Sequence, residues 1–157
     1  MPPPAESRAR TTLRGGAARR LPASRLGAAA RARLVAEILE AYVRARRELR
    51  SAPIEAAIAA LRADPSLPAP EHGAEALAEA TRLGWVVART LRLMPGDTRC
   101  LTRSLVLTRL LARRGIAACL VIGARAEPEF LAHAWVECDG RPVLSAGDGS
   151  FSRLVEL

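Results

Sequence analysis

The sequence predicts an α+β fold, with helices first and a small antiparallel sheet after them. Two observations predict it. From Leu26 to Leu111 apolar residues recur mostly at the three-and-four spacing of amphipathic helices, and after Gly115 they recur only in short runs of strand length. Two of those later runs are separated by Asp139-Gly140, a pair that favours the two-residue turn of a β-hairpin.

Each element follows in order. Leu34, Ile38, Tyr42 and Val43 share one face of a helix expected over 26–49, with Arg31, Arg33, Glu37, Glu40 and Arg44 elsewhere. Ser51-Ala-Pro53 breaks that helix. Pro53 suits the first turn of a second, striped by Ile54, Ala57, Ile58 and Leu61. Asp64–Pro70 contains Pro65, Pro68 and Pro70 and predicts a loop. A third helix is expected over 71–93, with Leu77, Ala80, Leu83, Val87 and Leu91 inward, ended by Met94-Pro-Gly-Asp97. Asp97 or Thr98 can cap a fourth over 98–114, carrying Leu101, Leu105, Val106, Leu110 and Leu111. Arg113-Arg114-Gly115 is a helix-ending signal: cations near the carbonyl end, then glycine. Strands are expected over 118–123, 130–138 and 141–145. The implied organisation is a tail at 1–25, a helical part at 26–93 and a core of helix and sheet at 94–157.

Charge separates the tail from the body. The 157-residue chain carries a net charge of +8, and its basic residues are all arginine, with no Lys, Asn or Gln. Residues 1–33 hold eight arginines against one acid, whereas the remainder holds 16 against 15. A coding bias toward arginine explains the second figure, so nucleic-acid binding has little support outside the tail, and no zinc spacing or aromatic RNA-binding motif adds to it. The Pro-, Ala- and Arg-rich tail is expected to be disordered, either as an unselected leader or as an electrostatic arm for an acidic partner. No apolar run reaches the roughly 18 residues of a membrane span, and no secretory signal region follows the first arginines. Three cysteines without CxxC spacing fit a reduced, cytoplasmic setting and imply no metal.

One constellation carries chemistry. Cys100 is expected in the first turn of its helix, where unpaired N–H groups and the helix dipole favour a thiolate, with Arg99 and Arg103 beside it. Cys119 and Cys138 fall in apolar strands. His133 lies on a strand, sharing a face with Trp135 and Glu137, and is flanked by Ala132 and Ala134, which allow close approach. The other histidine, His72, follows a proline-rich loop and is expected to be solvated. If Asp139-Gly140 is a two-residue turn, Cys138 pairs with Arg141 and His133 faces Ala146, so residues 145–148 run beside the imidazole. Asp148 is the only carboxylate among them and the candidate to orient the ring, with a Gly-Asp-Gly turn as its plain structural role. Asp139 lies at the far tip of the hairpin, and Glu137 is about 13 Å along the strand.

The strings Gly96-Asp-Thr-Arg-Cys100-Leu-Thr-Arg103-Ser104-Leu, Leu-Val-Ile-Gly123 and Ala132-His-Ala-Trp-Val-Glu-Cys-Asp-Gly140 resemble the lasso-peptide leader peptidase, the stand-alone transglutaminase-like B protein of lasso-peptide biosynthesis. The resemblance covers about 30–157 and is most specific over 96–140. It implies a papain- and transglutaminase-like core and a cysteine peptidase that removes the leader from a ribosomally made precursor. Cys100 would be the nucleophile, His133 the base and acid, and an aspartate the orienting residue. It implies three partners: the lasso precursor peptide, a small leader-binding recognition protein and a separate ATP-dependent cyclase. No cofactor is implied. The chain departs from the pattern at Ser145, twelve residues after His133, where many relatives carry the aspartate. The competing expectation is a protein of the same fold that binds a peptide without cutting it.

Overall fold

The computed structural model describes residues 27–53, 55–56, 59–60, 68, 71–94 and 100–157. The tail, the Ile54, Ala57, Ile58 and Leu61 stripe, nearly all of the proline-rich loop, and the Asp97, Thr98 and Arg99 stretch lie outside these residues; positions 55–56 and 59–60 are helical.

Helix α1 spans Ala28–Ser51. It stops where Ala52 turns extended, at ψ 157°, because a residue before proline is pushed out of the helical region. Leu34, Ile38, Ala41, Tyr42 and Ala45 are buried along it. Val43, expected in the stripe, is 48% exposed instead, because the small residues Ala41 and Ala45 complete the inward face. Helix α2 spans Ala74–Leu91 and buries Ala80, Leu83, Val87 and Leu91. Helix α3 spans Cys100–Ala112 and is almost wholly enclosed from Ser104 to Leu111. Its end uses the expected signal. Gly115 adopts a left-handed φ of 66°, the Ile116 N–H reaches back to the Leu111 carbonyl at 3.0 Å, and Arg114 Nη1 donates to the Leu110 carbonyl at 3.0 Å.

Four strands follow: β1 Cys119–Arg125, β2 Leu131–Cys138, β3 Arg141–Pro142 and β4 Ser152–Glu156. They form one sheet in the order β3-β2-β1-β4, antiparallel throughout. The hairpin turn is as expected. Cys138 pairs with Arg141, and Asp139 and Gly140 take φ values of 50° and 70°, the doubly left-handed turn that suits this pair. The third strand is shorter than expected. The Val143 and Leu144 amides both point to the Val136 carbonyl, at 2.9 and 3.4 Å, so the ladder slips there and the chain leaves β2. Strand β4 was not foreseen. It pairs with β1 across a register shift at Ile122 and Gly123, and all five of its residues are exposed.

Helices α2 and α3 pack against one face of the sheet, and α1 packs on those two helices rather than on the strands. Leu120 of β1 and Ala134, Val136 and Cys138 of β2 enter the same hydrophobic cluster as Ile38 and Ala41 of α1, Leu83 and Val87 of α2, and Leu105, Leu110 and Leu111 of α3. This cluster crosses the expected division at residue 93. Gly84 matters to that packing, because a Cβ there would run into the Val143 carbonyl. Ion pairs rim the contact of α1 with α3: Arg113 with Glu40 at 2.5 Å and Arg114 with Glu37 at 2.7 Å, while Arg109, only 2% exposed, lies 3.7 Å from Glu40.

Candidate active site

Cys100 is the first residue of α3, partly buried and packed against the core cluster. Four residues on, the buried Ser104 hydroxyl donates to the Ala134 carbonyl at 3.1 Å. Four residues of helix rise about 6 Å, so the end of the helix that carries Cys100 lies about one turn from the residue next to His133. The small side chain of Ala134 permits that approach.

Alternation turns His133 to the opposite face of β2, with Trp135 and Glu137. Its ring lies between two aromatic side chains. Trp135 stacks on it, with centroids 6.0 Å apart and 21° between planes, and Phe151 tilts against it at 5.1 Å and 35°. His133 Nε2 lies 2.9 Å from the Ser145 carbonyl oxygen. A carbonyl can only accept, so Nε2 carries the hydrogen and the neutral ring keeps its lone pair on Nδ1.

Asp148 occupies the turn near His133 but directs its carboxylate elsewhere. Oδ2 takes Arg125 Nη1 at 3.1 Å, and Oδ1 takes the Ser150 amide at 3.0 Å and the Ser150 hydroxyl at 2.5 Å. The Ser150 hydroxyl and amide, then the Arg125 charge, hold its carboxyl below the usual carboxylate range. Asp139, at the hairpin tip, accepts from His72 Nδ1 at 2.8 Å and from the Gly73 amide at 3.0 Å. Those two bonds lower its carboxyl in the same way. His72 is thus exposed yet paired. Cys138 is buried, and loss of water, then the nearby Asp139 charge, pushes its thiol upward.

Some residues of the site carry no isolated signal in the sequence. Glu137 accepts the Trp135 indole N–H at 2.7 Å and pairs with Arg153 on its other oxygen. Arg125 lies over the Phe151 ring at 5.5 Å. The period-two pattern already placed Trp135 and Glu137 beside His133, whereas Phe151 and Arg125 arrive from distant parts of the chain. Among the described residues, no group of three or more His, Cys, Asp or Glu side chains is arranged to hold a metal ion, and no helix is long and apolar enough to cross a membrane.

Among the described residues, Cys100 heads a helix packed on an antiparallel sheet and His133 lies on the adjoining strand, with no hydrogen bond between the two side chains. A family model described as the transglutaminase-like superfamily matches residues 41–156, and the chain belongs to that superfamily. Its members generally include cysteine proteases and acyltransferases. Neither a search of curated proteins nor one of solved structures finds a match.

Proposed function

We propose that this chain is a cysteine peptidase that removes the leader from a ribosomally made lasso-peptide precursor. The observation that carries the chemistry is the contact of His133 Nε2 with the Ser145 carbonyl at 2.9 Å, a bond in which Nε2 must donate and which leaves Nδ1 as the ring's acceptor when the ring is neutral. In the proposed reaction Nδ1 takes the proton of the Cys100 thiol, and the thiolate attacks the scissile carbonyl. The Cys100 N–H, in the first turn of α3, is the candidate donor to the developing oxyanion. The imidazolium returns its proton to the leaving amine, and water then resolves the thioester. The superfamily match supports a thiol enzyme. The narrower substrate rests on the resemblance over 96–140. A recognition protein would present the leader, and an ATP-dependent cyclase would close the freed core peptide, all in the cytoplasm.

Incubation of a lasso precursor and its recognition protein with wild-type, Cys100→Ala and His133→Ala chains tests this reading. Each substitution is expected to lower cleavage by about a thousandfold or more while leaving the fold intact. Full cleavage by Cys100→Ala ends the proposal.

The non-proteolytic alternative draws on the engagement of Asp148 by Arg125, which leaves its carboxylate away from the imidazole. Precursor binding without cleavage by the wild-type chain, with an unreactive Cys100 thiol, would favour it.

A further inference from the structure

We propose that His133 is oriented by the main-chain carbonyl of Ser145, in a slot walled by Trp135 and Phe151, and that Asp148 acts on the turn delivering that carbonyl rather than on the ring. This deepens the peptidase reading and rests on it.

Both walls are held by built contacts. The Trp135 indole is fixed by its N–H to Glu137, which is fixed in turn by Arg153. The ring lies over Gly123, where a Cβ would stand 2.9 Å from it and 2.8 Å from the Ser152 carbonyl. Glycine at 123 therefore makes the room that Trp135 occupies. Phe151 is backed by the Arg125 guanidinium. It also fills the space beside Gly147, where a Cβ would stand 2.7 Å from the ring and the φ of 80° already favours glycine. The turn is tied internally by the Gly147 amide to Ser145 Oγ at 3.3 Å. Asp148 ties it to β1 through Arg125, and Arg125 Nη1 also reaches Ser150 Oγ at 3.2 Å. Both carboxylate oxygens of Asp148 are used in this bracing.

The chemical consequence differs from that of a carboxylate. A carbonyl fixes the tautomer and the ring plane, but it carries no charge to balance the imidazolium. At Ser145 it is the backbone that supplies the acceptor. An aspartate side chain placed there would add the missing charge and favour the protonated ring.

The chain has only two histidines, so their ring signals can be titrated by carbon-13 NMR on the full chain and assigned with His72→Gln. Removal of a carboxylate in contact with the ring lowers its titration midpoint by about one unit or more. Asp148→Asn is therefore expected to move the His133 midpoint by less than about one unit, and Ser145→Asp to raise it by about one unit. A fall of one unit or more in Asp148→Asn overturns the proposal, and so does an unmoved midpoint in a folded Ser145→Asp chain. The titration needs no substrate, so its outcome is separate from that of the Cys100→Ala cleavage assay, which decides the peptidase reading.

Discussion

At the scale of single residues, the site depends as much on what is missing as on what is present. His133 is braced by two rings, and the space for one of them exists because residue 123 has no side chain. Gly123→Ala would drive its methyl into Trp135 and the Ser152 carbonyl. It is expected to cost about 1–3 kcal/mol of stability by overpacking and to shift the His133 ring signals as the stack is disturbed. Denaturant melts and NMR check the two effects, and unchanged ring signals would show that Trp135 does not set the imidazole. Cys100 and His133 stood out as candidates because each is a rare residue type in an informative local setting. The Ser145 carbonyl was not. Every residue has a carbonyl, so its role has no sequence identity and depends on the path of the backbone after β3.

At the scale of elements, the hairpin turn followed from its sequence and the strand after it did not. Asp139-Gly140 determines a local backbone conformation, and it appears as expected. Beyond Pro142 the chain bends away at Val136, so extrapolating the register to Ala146 failed even though it brought residues 145–148 to the right neighbourhood. The hairpin tip also clasps the start of α2 through Asp139, His72 and the Gly73 amide. Because the folded-state carboxyl of Asp139 is lowered, its stabilising contribution is present above the unfolded value near about pH 4 and is lost as pH falls from there through the folded value. Asp139→Asn should therefore melt below wild type at neutral pH and approach it as the pH is brought below about 4. Thermal melts across that range measure the convergence. A constant gap would mean that the Asp139 charge contributes nothing.

At the scale of the whole molecule, one core joins helices expected in one part of the chain to a sheet expected in another. Ile38 of α1 is fully buried in the cluster that includes Leu105 of α3 and Val136 of β2. Ile38→Ala should remove about 2–5 kcal/mol, and chemical denaturation should show a single transition lowered for helix and sheet signals alike. Two separated transitions would mean that 26–93 and 94–157 fold independently. The charge distribution fits the same picture. Glu37 and Glu40 meet Arg114 and Arg113 across the contact of α1 with α3, so part of the balanced charge in the body is spent between helices. A basic surface for a polyanion has correspondingly less material.

The sequence by itself determined that helices precede strands, most of the inward stripes of α1 to α3 (Val43 excepted), the glycine-ended α3 and the hairpin turn. Each of these is set by periodicity or by the conformational preference of a few adjacent residues. It also singled out Cys100, His133 and Asp148. Only the tertiary structure decided that β4 flanks β1, that Phe151 and Trp135 enclose the imidazole, and that the polar partner of His133 is a backbone oxygen while Asp148 turns to Arg125. The physical reason is that those contacts join residues far apart in the chain or use atoms common to every residue. Such contacts are selected by how the packed layers meet, and local composition carries little record of them.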